Sequence, residues 1–509
     1  MTRRRAIVWL AGRIAIMAGA GTAAVAAAWL AQGRPPGPNA PRRRTEPGAD
    51  ANAVQSFHSR PDLRPPSVTI DVPPGPAAAP GLVVTDCHYG PGQQGPLLLD
   101  GRGRLVWFLP LSADATPHLR AFNVQVQSYR GSPVLTWFQG AVVNGHGEGH
   151  YRLVDAAYRE VATVTARHGY HGDLHEFVLT DRGTALFTCY GEARADLTRW
   201  GGARDGAYAY GVVQEVDVAT GRLLFEWRSD RHVPLEASYE PVVPRGAPWD
   251  YFHVNSVAVD PLDGQLILSG RNTWAVYKID RATGAVLWQL GGKGATVALD
   301  RRGRFAFQHH VRRWPDGTLT IFDNEAGPPA LASQSRALVL TLDERARRAT
   351  FAAAYVHHPP VLTPDQGSVQ VLADGHRFVG WGISSAFTEY APDGTVVLDG
   401  HLARATQSYR AFRQSWRGLP SRPPDIAARR AGAATVVYAS WNGATDVAHW
   451  RVVGGAGATS MRTLQVAPHT GFETAIGLAP GAVPAYLVAI AHDAAGRELG
   501  RSAPVPAPA

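Results

Sequence analysis

Lysine is nearly missing from this chain. Among its 50 basic residues only Lys278 and Lys293 are lysines, and the others are arginines. No basic run interleaved with aromatics follows the N-terminal segment, so a net charge of +8 does not outline a nucleic-acid surface, and no nucleic-acid partner is expected. Cysteine is equally scarce. Cys87 and Cys189 cannot build a disulfide framework and lie too far apart for a CxxC metal knuckle. In an oxidising compartment they could form one bridge; otherwise they are two buried thiols. Charged residues of all kinds amount to 18%. The remainder supports a large core: 45% apolar residues, with 14 Trp, 16 Tyr and 16 Phe in 509 residues. That is enough for one large domain and a smaller one. The 54 Gly and 38 Pro mostly follow short apolar runs, as in an all-β chain with many turns.

One apolar run is long. It covers 18 residues, Ile14 to Ala31, and follows Arg3, Arg4, Arg5 and Arg13. A basic flank ahead of an apolar stretch is an export signal or a membrane anchor, here on the border of spanning length. The positive charges place the first residues in the cytoplasm and the rest outside. "AAA" at 26–28 offers a peptidase site, and Thr2-Arg3-Arg4 loosely resembles a twin-arginine signal. Residues 1–32 are therefore expected to be a signal peptide or membrane anchor, cleaved or retained. The protein is expected to be extracytoplasmic, either secreted or tethered to the membrane. Residues 33–55 lack an apolar pattern and read as a disordered linker.

The middle of the chain repeats. "VQEVDVATGRLLFEW" (213–227) matches "VYKIDRATGAVLWQL" (276–290), and "FTEYAPDGTVVLDGH" (387–401) follows the same strand–turn–strand plan. Weaker copies occupy 151–164 and 338–355. A second kind of hairpin precedes each one, at 122–138, 175–190, 253–270, 309–324 and 368–382, and residues 81–110 supply a first unit. Two hairpins make four strands, the content of one propeller blade. The count gives six blades over about 80–405, at an irregular period that requires insertions. A β-sandwich or β-solenoid is the rival arrangement. After residue 420 the pattern changes to short strands with Trp441, Trp450 and Tyr486 as expected core aromatics. This part resembles a fibronectin type III sandwich, suited to packing, tethering or partner contact. The predicted fold is all-β: a six-bladed β-propeller over 56–420, then a fibronectin type III-like β-sandwich over 421–509.

In a propeller the innermost strands line the central channel, and the 175–190 type of hairpin should supply them. His175 stands eight residues before its turn glycine, Gly183, and His309 stands eight before Gly317. His310, seven before, faces the other way. His253 heads the same strand of the blade between them, eleven residues ahead of Gly264. Asn255 shares the face of His253 by the period of two, and Arg271 ends that hairpin. A single histidine is usually solvated or simply hydrogen-bonded. Three at equivalent positions, beside an arginine, converge on a channel mouth.

Two chemistries fit such a ring. Three histidines can bind Zn²⁺ and activate water, although Arg271 opposes a cation and no acidic partner is evident beyond Asp173 and Glu176. In the other, Arg271 holds oxyanions with its planar fork. One neutral imidazole attacks sulfur or phosphorus, while the others donate hydrogen bonds and protonate the leaving oxygen. A non-catalytic binding propeller is also compatible. The insertions at 191–210 and 229–250, rich in Arg, Trp and Tyr, are placed to wall the pocket.

The segments "SRPDLRPP" (59–66), "GPLLLDGRGRLVWF" (95–108), "DLHEFVLTDRGTAL" (173–186), "YFHVNSVAVD" (251–260), "FQHHVRRWPDGTLTIFDN" (307–324) and "SYRAFR" (408–413) together resemble the bacterial arylsulfotransferase family in its broad actinobacterial and fungal form. The resemblance covers about 55–420. It implies a six-bladed propeller that moves a sulfuryl group from a phenolic sulfate to a phenolic acceptor. It implies no cofactor, no resident metal and a ping-pong route through a sulfated histidine. Carried over by motif, His309 is that nucleophile, His253, Asn255 and Arg271 hold the sulfate oxygens, and His175 assists at the transferring group. Two features depart from the family. Its characterised enzymes carry their extra sandwich at the N-terminus, and their disulfide has no counterpart at Cys87 and Cys189. Oligomeric state and acceptor identity therefore do not carry over.

Overall fold

Tight turns set the strand lengths. Gly183, Gly264 and Gly317 adopt φ of +72°, +79° and +83°, a left-handed backbone that glycine takes without steric penalty. Each reverses the chain into an antiparallel partner. The structure is a computed structural model that describes residues 54–111, 119–242, 247–327, 330–457, 460–479 and 483–508. The expected anchor at 1–32, and the linker before residue 54, lie outside the described residues. Among those described, no helix is long and apolar enough to cross a membrane.

The chain is all-β. Five sheets are each built by four consecutive antiparallel strands. The second sheet runs Arg120–Tyr129, Ser132–Val143, His146–Val154 and Glu160–Val164. The third runs Phe177–Leu179, Thr184–Ala195, Gly206–Asp217 and Leu223–Arg228. The fourth is Val254–Val259, Leu266–Gly270, Ala275–Ile279 and Val286–Gly291. The fifth is His309–Arg313, Thr318–Asp323, Arg336–Asp343 and Arg348–Tyr355. The sixth is Ser368–Val371, Arg377–Gly380, Ala386–Tyr390 and Val396–Leu402, with Val68–Val72 added at its outer edge. These match the hairpins read from the repeats.

The first sheet is assembled differently. Leu82–Cys87, Gly95–Leu99 and Leu105–Phe108 supply three strands, and Ala411–Gln414 returns from far along the chain to pair with Leu82–Cys87 as the fourth. Neighbouring sheets pack through their inner strands in sequence, and the sixth packs back on the first through Arg377–Gly380 and Ala411–Gln414. Apolar side chains fill the seams. Between the fourth and fifth sheets, Ile267, Leu290, Val311, Ile321 and Leu338 are buried together.

Two further sheets follow. One contains Asp425–Ala431, Ala434–Ser440 and Glu473–Gly477; the other contains Arg462–Pro468, His449–Gly455, Tyr486–His492 and Glu498–Arg501. Trp441, Trp450, Val437, Val452 and Leu487 form their shared core. Tyr486, expected in that core, is 44% exposed. Strand alternation turns Leu487, Ala489 and Ala491 inward and leaves Tyr486 outside. This unit is fixed to the first two sheets. The Asn442 side chain accepts from the Phe108 N–H at 2.9 Å and donates to the Phe108 carbonyl at 2.8 Å. Tyr158 stacks on Trp107 with centroids 4.9 Å apart and donates to the Gly443 carbonyl at 2.9 Å. Cys87 and Cys189 are separate, buried, free thiols.

Candidate functional site

His175, His253 and His309 each stand at or just before the start of an innermost strand and converge. The Nε2 atoms of His175 and His253 are 3.2 Å apart, with ring planes nearly perpendicular. The His309 ring centroid lies 6.5 Å from that of His175. Arg271 is tied to the same edge by its N–H, which donates to the His253 carbonyl at 2.9 Å. Its guanidinium lies 5.0 Å from the Phe307 ring centre and donates to Asn272 Oδ1 and the Pro364 carbonyl. Asn255 is fully buried, and its amide nitrogen donates to the carbonyl of Gln308, the residue before His309, at 2.7 Å. His310 turns away toward the sixth and first sheets, where Nδ1 accepts the Val369 N–H at 3.2 Å and the ring packs on Phe412.

Carboxylates orient two of the rings. Asp173 Oδ2 lies 2.7 Å from His175 Nδ1 and also accepts the His175 N–H and the Thr188 hydroxyl. Burial pushes the Asp173 carboxyl up, but His175, His146 and the Gly147 N–H outweigh it and bring it down to about 2. Asp250 Oδ2 makes a short bond to His253 Nδ1 and lies 2.9 Å from His146 Nε2. Those two imidazoles hold the Asp250 carboxyl far below the usual range despite its burial. Burial is the main reason the His253 pKa falls to about 4; Asp250 opposes that fall, while His175 and Arg271 add to it.

With both Nδ1–H groups given to carboxylates, the two Nε2 atoms face each other. Their contact needs one proton between them.

His309 is fixed from both sides. The Asn324 amide donates through Nδ2 to the carbonyls of Thr363 and Gln366, so its Oδ1 is left as an acceptor, 2.8 Å from His309 Nδ1. The Phe307 carbonyl lies 3.1 Å from the same nitrogen. His309 Nε2 accepts the Gln366 N–H at 3.3 Å. The proton is therefore on Nδ1, and Nε2 carries the lone pair. Burial, then the charge of Arg271, holds the His309 pKa well below the ordinary histidine value. His309 is 1% exposed, so a substrate must displace the Gln366 N–H to reach Nε2.

Beneath the histidines, Arg410 from the returning segment closes the centre. It is 0% exposed and donates to Glu176 at 2.7 Å, to Asn123 at 3.1 Å and to the Asn255 carbonyl at 3.2 Å. Arg312 donates to the other Glu176 oxygen at 2.8 Å. Against its burial, these two arginines keep the Glu176 carboxyl ionised. Tyr409 donates to the His175 carbonyl at 3.1 Å.

Several of these partners escaped the sequence reading. Glu176 serves arginines rather than a histidine. Asp250 was not foreseen, although Asp250-x-x-His253 nearly repeats the spacing Asp173-x-His175. Asn324 closes the quoted segment around His309, but nothing marked its role. His146 comes from another sheet, stacks on Tyr190 at 3.6 Å and had no sequence signal. Half of the insertion at 191–210 is strand rather than loop. The strands Thr184–Ala195 and Gly206–Asp217 stay paired up to Ala195 opposite Gly206. The insertion at 229–250 holds two short 3₁₀ turns, Ser229–Arg231 and Leu235–Ala237. His146, Asp250 and His253 offer ligand atoms within 4.8 Å of one another, a set that suits a divalent cation.

No curated protein matches the chain. Among solved structures, a Bacteroides caccae protein of unknown function is similar at 11% identity and a TM-score of 0.40, over 66% of this chain and 100% of that one. A streptogramin B lyase is similar at 10% identity and a TM-score of 0.32, over 73% and 94%. The periplasmic gluconolactonase of Pseudomonas aeruginosa is similar at 13% identity and a TM-score of 0.27, over 76% and 96%. At these scores none of them bears on activity. The arylsulfotransferase (ASST) family model matches residues 125–404, more than half of the 509 residues and including His175, His253, Arg271 and His309, so the chain belongs to the arylsulfotransferase family.

Proposed function

We propose that this chain is a six-bladed β-propeller with a fibronectin type III-like sandwich, and that it transfers a sulfuryl group from a phenolic sulfate ester to a phenol through a sulfohistidine on His309. The observation that carries the reading is the fixed tautomer of His309: a neutral, buried imidazole with its lone pair on Nε2, under the charge of Arg271 and with its ring centre 6.5 Å from that of His175.

In the first half-reaction the Nε2 lone pair forms the N–S bond as the S–O bond to the phenol breaks. The phenolate oxygen takes a proton from the His175–His253 pair and leaves as the phenol. Arg271 meets the charge on the sulfuryl oxygens. Asn255 acts from behind, holding the Gln308 carbonyl next to His309. In the second half-reaction the acceptor phenol returns its proton to the pair, its oxygen attacks sulfur, and His309 Nε2 leaves. The atoms balance without a nucleotide donor. Residues 1–32 serve in this reading as a signal or anchor that places the propeller outside the cytoplasm.

Intact-protein mass spectrometry under excess chromogenic aryl sulfate tests the mechanism. The expected result is a covalent gain of one SO₃ group, lost in His309→Ala and discharged by added phenol. Turnover that survives in His309→Ala would reject the nucleophile. An anion that binds but never forms the adduct or turns over would indicate a binding propeller. A second reading rests on His146, Asp250 and His253 as a cation site: activity abolished by chelator and restored by zinc would favour a metal-dependent hydrolase instead.

A further inference from the structure

We infer that His146, Asp250 and His253 form an inhibitory site for zinc or a similar transition-metal cation, which stops transfer by reassigning the His253 proton. Cation binding stands without the sulfuryl-transfer reading; only its effect on the rate rests on that reading. The site begins with a turn. Asn144 and Gly145, at φ of +51° and +84°, join Ser132–Val143 to His146–Val154 as a two-residue hairpin. Its tip carries His146 across to the third sheet, where the ring stacks on Tyr190 with an interplanar angle of 13°. Tyr190 is itself fixed, its hydroxyl donating to the Val254 carbonyl at 2.7 Å. Asp250 belongs to Trp249–Asp250, which pairs with the third sheet, and His253 stands just before the fourth. The hairpin tip therefore gathers ligands from three sheets.

Three features suit a cation. The donor set is two imidazole nitrogens and one carboxylate oxygen, which suits zinc better than magnesium. Asp250 Oδ2 lies between the rings, bonded to His253 Nδ1 and 2.9 Å from His146 Nε2. Its orientation is already set, because Oδ1 accepts the His253 N–H at 3.1 Å and the Asp250 carbonyl accepts Asn272 Nδ2 at 2.6 Å. The second feature is charge. Asp173 and Glu192 act on His146 alongside Asp250, while Arg271 acts on His253 from the other side. Three carboxylates against one guanidinium favour a cation. The third is access. The side chains of His146, Asp250 and His253 are 15%, 21% and 13% exposed, whereas His309 lies beneath the Gln366 N–H.

The effect on transfer follows from where protons can sit. Without the ion, His253 gives its Nδ1–H to Asp250, and its contact with His175 Nε2 needs a further proton. A metal on Nδ1 moves the His253 proton to Nε2, where it fills that contact by itself. The further proton goes to solvent, and His146 keeps its own on Nδ1. The pair then has none in surplus for a leaving phenolate.

Equilibrium dialysis of the full chain against zinc, with magnesium as the control, tests the site. One zinc per chain is expected, without comparable magnesium binding. His146→Phe keeps a ring on Tyr190 but loses the ligand; it, and independently His146→Gln, should weaken zinc at least about tenfold. Zinc binding unchanged in both variants overturns the site. Turnover with and without zinc tests the effect. Zinc should slow transfer from phenyl sulfate at least about tenfold and from 4-nitrophenyl sulfate far less, because nitrophenolate leaves without a proton. Both His146 variants should lose that sensitivity. Zinc that is required for turnover, or that slows the two donors alike, overturns the inhibition. The two readings fail separately. His146-dependent zinc binding without a sulfated adduct on His309 sinks the transfer mechanism and keeps the site. An adduct formed by a chain that binds no zinc does the reverse.

Discussion

Asn324 decides which nitrogen of His309 can react. Replacing it with Leu removes one of the two acceptors at Nδ1 and leaves the Phe307 carbonyl, so the hold on the tautomer loosens and kcat should fall by about 10–10²-fold. Asn324→Asp is more diagnostic. A carboxylate there favours imidazolium, so the His309 pKa rises and the acid limb of the pH–rate profile moves to higher pH. An unshifted limb would show that His309 protonation does not limit the rate. His309→Ala should lose about 10³-fold or more in turnover of a chromogenic aryl sulfate, while His310→Ala should lose stability but keep activity. The convergence of three histidines was legible because each stands at an equivalent strand start. Their partners were not, because the backbone leaves its regular path just there. His253 and His310 have left-handed φ of +54° and +46°. The pairing register slips between Val254 and Ser256 and again between His309 and Arg312. Alternation does not survive such bulges. His309 and His310 do separate, as the count to Gly317 suggested, but through a bulge rather than a regular pleat.

Among the elements, the strand Ala411–Gln414 has the widest reach. It completes the first sheet, and Arg410, immediately before it, reaches groups on the second, third and fourth sheets. Glu176 is the common acceptor of Arg410 and Arg312, all three within hydrogen-bond reach in a dry centre. Glu176→Gln leaves the buried Arg410 and the half-buried Arg312 undercompensated and should destabilise by about 3–5 kcal/mol. Urea unfolding followed by tryptophan fluorescence reads this directly; a loss below about 1 kcal/mol would mean that the arginines find other partners. The hairpins themselves were readable from period-two alternation between turn glycines. The extended pair Thr184–Ala195 and Gly206–Asp217 was not, because its distal half mixes Arg, Ala and Gly and lacks a clean apolar face.

For the molecule as a whole, buried neutral histidines set the response to acid. His309, His310 and His253 have native pKa values below that of an unfolded histidine, about 6.5. Below that pH the unfolded chain takes up protons that the native state refuses, so stability falls as pH drops from 6.5 toward about 4. His146, raised by Asp250 against its burial, works in the opposite direction. Asp173, near 2 when folded, adds a second loss below about pH 4, the unfolded carboxylate range. Thermal denaturation against pH should show two descending phases. His310→Gln, outside the candidate site, should shrink the upper one, and an unchanged upper phase would assign it elsewhere.

The returning strand has a consequence for how the protein comes to exist. Synthesis delivers Leu82–Cys87 early, with one edge bonded to Gly95–Leu99 and the other bare until Ala411 arrives. Through the making of more than three hundred residues, that edge is an open template for any passing strand. Assembly of the sheets in between can proceed locally, but this pairing, like that of Val68–Val72 with Val396–Leu402, joins strands more than three hundred residues apart and is slow to find. A chaperone able to cover a bare sheet edge, or a delay in folding until the whole chain is present, would determine yield more than any residue around His309.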